Sequence, residues 1–103
     1  MIQKQFDECY AIDEDDQALA CLKNIVRTAT GDCRPRLVLL TQDNCIPCRD
    51  QRALRRVDIN SGIIQEINIK SDEGLAITKK NDIVQIPALL FLDCRNNLIY
   101  PSV

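Results

Sequence analysis

Residues 37–48 read Leu-Val-Leu-Leu-Thr-Gln-Asp-Asn-Cys-Ile-Pro-Cys, an apolar run followed by a short polar turn and two cysteines. The apolar residues 37–40 are too few for a core helix and predict a strand buried on both sides. The residues after the turn predict a helix that begins near Cys45. At a helix start, the macrodipole and the unpaired backbone N–H groups stabilise a thiolate.

Cys45 and Cys48 are therefore a candidate redox pair. Cys45, at the helix start, is the predicted nucleophile that attacks a substrate disulfide. Cys48, one turn further on, is predicted to resolve the mixed disulfide. Pro47 suits the first helical turn, where its missing N–H costs nothing. The cycle needs an external reductant, either a thiol reductase or a small thiol, and no other cofactor.

A single Cys-x-x-Cys is only moderately specific, and two other interpretations stay open. The pair could be half of a zinc site, although no second pair occurs at similar spacing. It could also be a structural disulfide, although a bridge between residues i and i+3 of a helix cross-links very little of the chain. We expect no metal, and we interpret the isolated cysteines as structural thiols: Cys9, Cys21, Cys33 and Cys94.

Composition bounds the class of protein. The chain, residues 1–103, has the length of one domain, with 46% hydrophobic residues, 27% charged residues and a net charge of −2. This charge offers no field for nucleic acid, and no stretch reaches the length of a membrane span. The absence of histidine excludes Cys/His hydrolases and Ser-His-Asp triads.

The cysteine count of six allows two interpretations. In a secreted miniprotein it would indicate a disulfide framework. The beginning of the chain has no pattern of a secretory signal, the aliphatic content is high and the elements look regular. We therefore predict a cytosolic protein in which one cysteine pair is catalytic and the other cysteines are reduced.

Periodicity predicts further elements before and after the opening stretch. A helix with an acidic start at 13–16 carries one apolar face and ends at Gly31. A weaker pattern before it hints at a first strand, through Phe6, Tyr10 and Ile12. The helix after the cysteines is predicted to face inward through Ala53, Leu54 and Val57 and to end at 60–62.

The second half of the chain continues the alternation. We predict a strand at 63–69, then a helix at 73–80 that is capped by Ser71 or Asp72 and faces the core through Leu75 and Ala76. A strand at 88–92 follows Pro87, and a turn at Asn96-Asn97 leads into a last strand at 98–100. Helices alternating with strands predict an α/β/α three-layer sandwich with a mixed central sheet, mainly parallel and with an antiparallel edge strand.

From about Leu37 to Tyr100 this order resembles the thioredoxin family, with the Cys-x-x-Cys helix and the Ile86-Pro87 pair separated by a strand and a helix. The resemblance implies a single thioredoxin-like domain and a dithiol electron carrier that reduces protein disulfides. It also implies a cis Ile86–Pro87 peptide beside the two sulfurs. The implied contacts to an extended, disulfide-containing protein substrate are Ile46, Pro47, Ile86 and Pro87.

The sequence departs from that family near the cysteines. Asn44 stands where thioredoxins usually have tryptophan, and Leu39 stands where they have a buried aspartate. The usual C-terminal helix is missing, which would leave one sheet face thinly covered and suggests a monomer or a weak dimer. The alternative function is therefore a catalytically weak interaction module. A basic stripe on the cysteine helix is interpreted as a solvated face, or less simply as a dock for an acidic partner: Arg49, Arg52 and Arg56.

Overall fold

The structure, a computed structural model, describes residues 8–9, 11, 15–29, 31 and 33–99. In these residues the sheet has three strands in the order β2-β1-β3, with β2 parallel and β3 antiparallel to β1. The strands alternate with four helices. In chain order the elements are α1 (Asp15–Thr28), β1 (Arg36–Thr41), α2 (Ile46–Leu54), α3 (Arg56–Asn60), β2 (Ile64–Asn68), α4 (Asp72–Asn81) and β3 (Ala88–Leu92).

The central strand β1 is buried on both faces. Successive side chains of a strand point to opposite sides of the sheet. Leu37 and Leu39 accordingly join an apolar cluster with Ile25 of α1. Val38 and Leu40 join a second cluster with Ile77 of α4. Helices thus pack on both faces of the sheet, as an unbroken apolar run requires, and the predicted buried strand is confirmed.

The predicted mixed sheet is confirmed, but the antiparallel neighbour of β1 is β3, not the strand that was expected at 98–100. The cause is the connection after α4. Asn81, at the end of α4, donates a 2.9 Å hydrogen bond from Nδ2 to the backbone oxygen of Asn96, beyond the end of β3. Residues 82–87 then carry the chain back along the sheet, so β3 starts at the edge where β1 ends.

The predicted turn after β3 is present, but the strand after it is not. Asn96 has a φ of +65°, a conformation that asparagine tolerates. Leu98 forms only an isolated antiparallel bridge with Leu92, and the Ile99 N–H donates a 2.9 Å hydrogen bond to the Phe91 oxygen. Tyr100, the last residue of the predicted strand, lies outside the described residues.

The cysteine helix faces the core through other residues than predicted. Leu54 and Val57 are 67% and 80% exposed, and Ala53 is exposed as well. The chain leaves the helical conformation at Arg55, where φ is −100° and ψ is 13°, so α3 starts with a new rotational phase. As a result, Ile59 is the residue of α3 that packs against the α1 side of the core.

Helix α4 is also rotated relative to the prediction. Its N-cap is Ser71, whose side chain accepts the Gly74 N–H, as one of the two predicted caps. Leu75 is 50% exposed and Ala76 is exposed, whereas Gly74 and Ile77 are buried against the sheet. A short helix with few apolar residues does not reveal its buried face by periodicity alone.

The helix predicted after the acidic cluster is confirmed as α1. It ends at Thr28, and Gly31 follows with a φ of +99°. Leu22 and Ile25 on its predicted apolar face are buried. Positions 13 and 14 of the acidic cluster lie outside the described residues. So does the weak first strand, of which Phe6, Tyr10 and Ile12 are the key residues.

The interpretation of four cysteines as structural thiols is wrong, because they form two disulfides. Cys9 bonds to Cys21, with their Cα atoms 5.4 Å apart, and Cys33 bonds to Cys94, with a Cα separation of 4.9 Å. The second bond follows from sheet register: β1 pairs with β3 so that Arg36 lies opposite Leu92. The chain just before β1 therefore meets the chain just after β3, which spacing in the sequence does not reveal.

Gly74 permits a close approach of α4 to the end of β2. A Cβ atom at this position would collide with the backbone oxygen of Asn68 and would lie 2.8 Å from the Cα of Ile69. These are backbone atoms, which cannot rotate away. The absence of a side chain at residue 74 thus sets how closely the helix packs.

We expect Gly74→Ala to destabilise the protein in spite of the higher helix propensity of alanine. Overpacking of this kind costs about 1–3 kcal/mol, more than the propensity gain of about 1 kcal/mol. Urea unfolding followed by circular dichroism measures the difference. Lys79→Ala, on an exposed position of the same helix, is the control and should stay within about 0.5 kcal/mol of the parent. A Gly74→Ala protein as stable as the parent would contradict the close approach.

Candidate functional site

The two cysteines of the Cys-x-x-Cys motif form a disulfide at the start of α2. Their Cα atoms are 5.2 Å apart. Cys45 is the N-cap residue, and its Sγ accepts the backbone N–H of Cys48 at 3.1 Å. Cys45 is half-buried, whereas Cys48 is 0% exposed. The helix start and the deeper position of Cys48 agree with the sequence prediction.

The turn between β1 and α2 presents Cys45 to a cleft. Asn44 has a φ of +55°, which reverses the chain between the buried Thr41 and the helix. The cleft has a volume of about 680 Å³ and is lined by the turn, by Cys45 and Ile46, and by Arg49 and Arg52. The sulfur that is nearer to solvent therefore lies where a second molecule can approach it.

Ile86 and Pro87 lie at the same edge of the sheet as Cys45. Ala88, the first residue of β3, pairs with Leu40 near the end of β1. The Ile86–Pro87 peptide is cis, as the resemblance implied. Both residues line a second cleft of about 700 Å³, and Gln42 lines this cleft and the Cys45 cleft alike. The two clefts are neighbours on one edge of the molecule.

The proposed contact residues differ in their accessibility. Ile46 and Pro47 are exposed on the first turn of α2, while Ile86 and Pro87 are half-buried. Pro47 lies in the first turn, as predicted. The structure brings the four to the edge that carries Cys45, so an extended segment could lie against them.

Glu66 holds the cysteine helix against the sheet. Its carboxylate, on β2, accepts hydrogen bonds from Arg52 Nε of α2 at 2.7 Å and from Thr41 Oγ1 of β1 at 2.9 Å. The Arg52 hydrogen bond lowers the pKa of Glu66, partial burial opposes this shift, and the Thr41 hydrogen bond adds to it. Helix α2, strand β1 and strand β2 thus meet at one carboxylate.

Neither Glu66 nor Thr41 was found from the sequence. Glu66 sits in an alternating strand where a polar residue looks like a solvent-facing position, and no local pattern pairs it with a helix. Arg52 is exposed, as the predicted solvated stripe requires, but it also forms a 2.7 Å ion pair with Glu66 that the sequence did not reveal. Arg49 and Arg56 are exposed as expected.

The part of the chain that the structure describes also bears on metal binding and on membrane-spanning helices. No group of three or more histidine, cysteine or acidic side chains there could hold a metal ion. None of the described helices is both long enough and apolar enough to cross a membrane.

Comparisons with known proteins add no relative: no protein-family model, no curated protein and no solved structure matches this chain. The resemblance to the thioredoxin family thus rests on the motifs alone. Activity has to be argued from the cysteine geometry.

We expect Glu66→Gln to destabilise the protein at pH 7 by about 0.5–1 kcal/mol, the usual size for a partly exposed ion pair. Because the folded protein lowers the pKa of Glu66, its contribution is present above the ordinary carboxyl value of 4.5 and is lost as the pH falls through the lowered pKa. Urea unfolding at pH 7 and pH 3 tests this.

The difference between parent and Glu66→Gln should shrink at pH 3 and in high salt. Asp50→Asn is the control, since Asp50 is exposed on α2, the helix that Glu66 contacts, and has no side-chain hydrogen bond or ion pair with the described residues. A Glu66→Gln effect equal at both pH values would show that the carboxylate charge does not hold α2.

Proposed function

We propose that this protein is a thiol-disulfide oxidoreductase in which Cys45 is the nucleophile and Cys48 the resolving cysteine. The main observation in its support is that the two cysteines at the start of α2 differ in exposure. Cys45 is accessible from a cleft and accepts the Cys48 N–H, and Cys48 is fully buried behind it. The N–H groups of the first turn favour negative charge on Cys45 when the pair is reduced.

The reaction transfers two electrons in two exchange steps. The Cys45 thiolate attacks one sulfur of a substrate disulfide, and the other substrate sulfur leaves as a thiolate. The Cys48 thiolate then attacks Cys45 Sγ, which releases the second substrate thiolate and leaves the Cys45–Cys48 disulfide. A small thiol or a thiol reductase restores the dithiol. Run in reverse, the same steps pass the disulfide to a substrate dithiol.

Cys48 must lose its proton before the second step. Leu39, at the position of the buried aspartate of thioredoxins, is 1% exposed and packs in the apolar core, so no carboxylate serves there. Once Cys45 is part of the mixed disulfide, water or another group has to accept the proton of Cys48. We therefore expect resolution by Cys48 to be slower than in a protein with that aspartate.

A thioredoxin-like fold is part of this proposal. Two observations support it. Strand β1, which precedes the cysteines, is central in the sheet, and Pro87 directly precedes β3, the antiparallel neighbour of β1. Ile46, Pro47, Ile86 and Pro87 would contact an extended protein substrate in the two adjoining clefts. Asn44, in place of the usual tryptophan, leaves one side of the Cys45 cleft polar.

The cysteine pairing bears on the compartment. The cytosol was predicted because the beginning of the chain has no pattern of a secretory signal, and four of the six cysteines were expected to be reduced there. Three disulfides are more typical of an oxidising environment. We therefore propose that the protein works under oxidising conditions, and the cytosolic location stays a prediction with less support.

In dithiothreitol-coupled insulin reduction, we expect catalysis by the parent protein and only the background rate with Cys45→Ser. Cys33→Ser/Cys94→Ser is the matched control, since it removes a different disulfide, at the other edge of the sheet, and should retain the activity. A parent protein no faster than Cys45→Ser would favour the alternative, an interaction module whose Cys-x-x-Cys does not turn over.

Trapping tests the assignment of the two roles. Cys48→Ser, loaded through Cys45 with a peptide disulfide, should accumulate a stable mixed disulfide, because no resolving thiolate remains. The converse variant, Cys45→Ser, should accumulate little, because Cys48 is buried. Intact mass spectrometry measures both adducts. Equal trapping by the two variants would contradict Cys45 as the nucleophile.

A further inference from the structure

A second disulfide lies at the opposite edge of the sheet from Cys45. Cys33 precedes β1 and Cys94 follows β3, where Arg36 pairs with Leu92. Cys45 follows the other end of β1, and a six-residue strand is about 17 Å long. This distance excludes sulfur exchange between the two disulfides within one chain. Any reaction of the Cys33–Cys94 bond is therefore independent of the Cys45–Cys48 bond.

Both cysteines of the Cys33–Cys94 disulfide are exposed residues. The Cys9–Cys21 disulfide is much less accessible, because Cys9 is 0% exposed and Cys21 packs against the α1 side of the core. Thiol exchange requires an attacking thiolate to reach a sulfur in line with the bond, and exposed disulfides are the labile ones.

The charges near this disulfide are mostly positive. Arg34 and Arg95 adjoin the two cysteines in sequence, are exposed, and form no ion pair with the described residues. Lys80 is held at the same turn, since its Nζ donates a 2.6 Å hydrogen bond to the Arg95 oxygen. An electropositive and accessible setting favours both the approach of an anionic thiolate and the thiolate that leaves.

Asp93, which adjoins Cys94 in sequence, and Glu73 both have partners of their own. Asp93 accepts the backbone N–H groups of Arg95 and Asn97 at 2.8 and 2.9 Å, within its own turn. Burial raises the pKa of Asp93, but these hydrogen bonds outweigh it and hold the pKa below its ordinary value. Glu73 pairs with Arg36 at 2.7 Å. Asp32, beside Cys33 in sequence, lies outside the described residues.

A small cleft begins one residue after Cys33. Its volume is about 280 Å³, and Arg34 and Arg36 are among the residues that line it. This volume suits a molecule of a few hundred daltons rather than a protein segment. Arg36 is already paired with Glu73, whereas Arg34 has no ion pair with the described residues, so its guanidinium suits a carboxylate or sulfonate. Size and charge together point to a small anionic reactant.

We propose that Cys33–Cys94 is a second site of thiol–disulfide exchange, whose reactant is a low-molecular-weight anionic thiol. One thiolate attacks a sulfur of the bond, forms a mixed disulfide and expels the other cysteine as a thiolate. A second thiolate attacks the mixed disulfide, forms the small-molecule disulfide and releases the second cysteine. The small thiols lose two electrons and the protein gains them. The proposal does not depend on the function proposed for Cys45.

The test compares small thiols of opposite charge on the full chain. The protein is treated with 2-mercaptoethanesulfonate or cysteamine at equal thiolate concentration, quenched with acid and alkylated, and each cysteine is quantified by peptide mass spectrometry. We expect Cys33–Cys94 to open at least ~10-fold faster than Cys9–Cys21, since exposure controls access. Mercaptoethanesulfonate should open it several-fold faster than cysteamine, with the difference lost in 0.5 M salt.

Two variants separate the causes. Arg34→Gln/Arg95→Gln should abolish the preference for the anionic thiol without altering the far-ultraviolet circular dichroism. Cys45→Ser/Cys48→Ser should leave both the rate and the preference unchanged, which shows that the other pair does not mediate the reaction. Opening of Cys33–Cys94 no faster than Cys9–Cys21, or equal rates with the two thiols, would overturn the proposal.

Discussion

Burial of β1 on both faces is the constraint on which the rest of the structure depends. Leu37 and Leu39 must be covered from one side and Val38 and Leu40 from the other, so helices are needed on both faces of a sheet that has only three described strands. A central strand also needs a hydrogen-bonded neighbour at each side. The chain leaves β1 after Thr41, at one edge of the sheet, and Cys45 follows at that edge.

The position of the cysteine helix depends on a second, polar constraint. Helix α2 buries only Cys48 among its residues, so apolar packing alone holds it weakly. The Glu66 carboxylate compensates by joining Arg52 of α2 to Thr41 of β1. The buried Cys48 and the Glu66 carboxylate together keep the first turn of α2 oriented while the outer face of the helix stays in water.

Features that depend on a few neighbouring residues could be predicted from the sequence, and those that depend on register could not. The start of α2, the Ser71 cap and the turn at Asn96 each follow from local chemistry. The exposure of Leu54 could not be predicted, because it depends on a break at Arg55. The pairing of Cys33 with Cys94 and the direction of β3 depend on where residues 82–87 lead the chain. Glu66 was missed for the same reason, since its partners come from two other elements.

One register relation links the Cys45–Cys48 and Cys33–Cys94 disulfides. Antiparallel pairing of β1 with β3 sets Pro87 beside the end of β1, near Cys45, and at the same time brings Cys94 to Cys33 at the other edge. The two bonds nevertheless meet different surroundings. Negative charge on Cys45 would be stabilised by backbone N–H groups that belong to the helix itself, which salt screens little because they touch the sulfur. Charge at Cys33 or Cys94 would be stabilised by exposed guanidinium groups in water, which salt screens strongly. We therefore expect exchange at Cys33–Cys94 to respond to ionic strength more strongly than exchange at Cys45 with a neutral substrate.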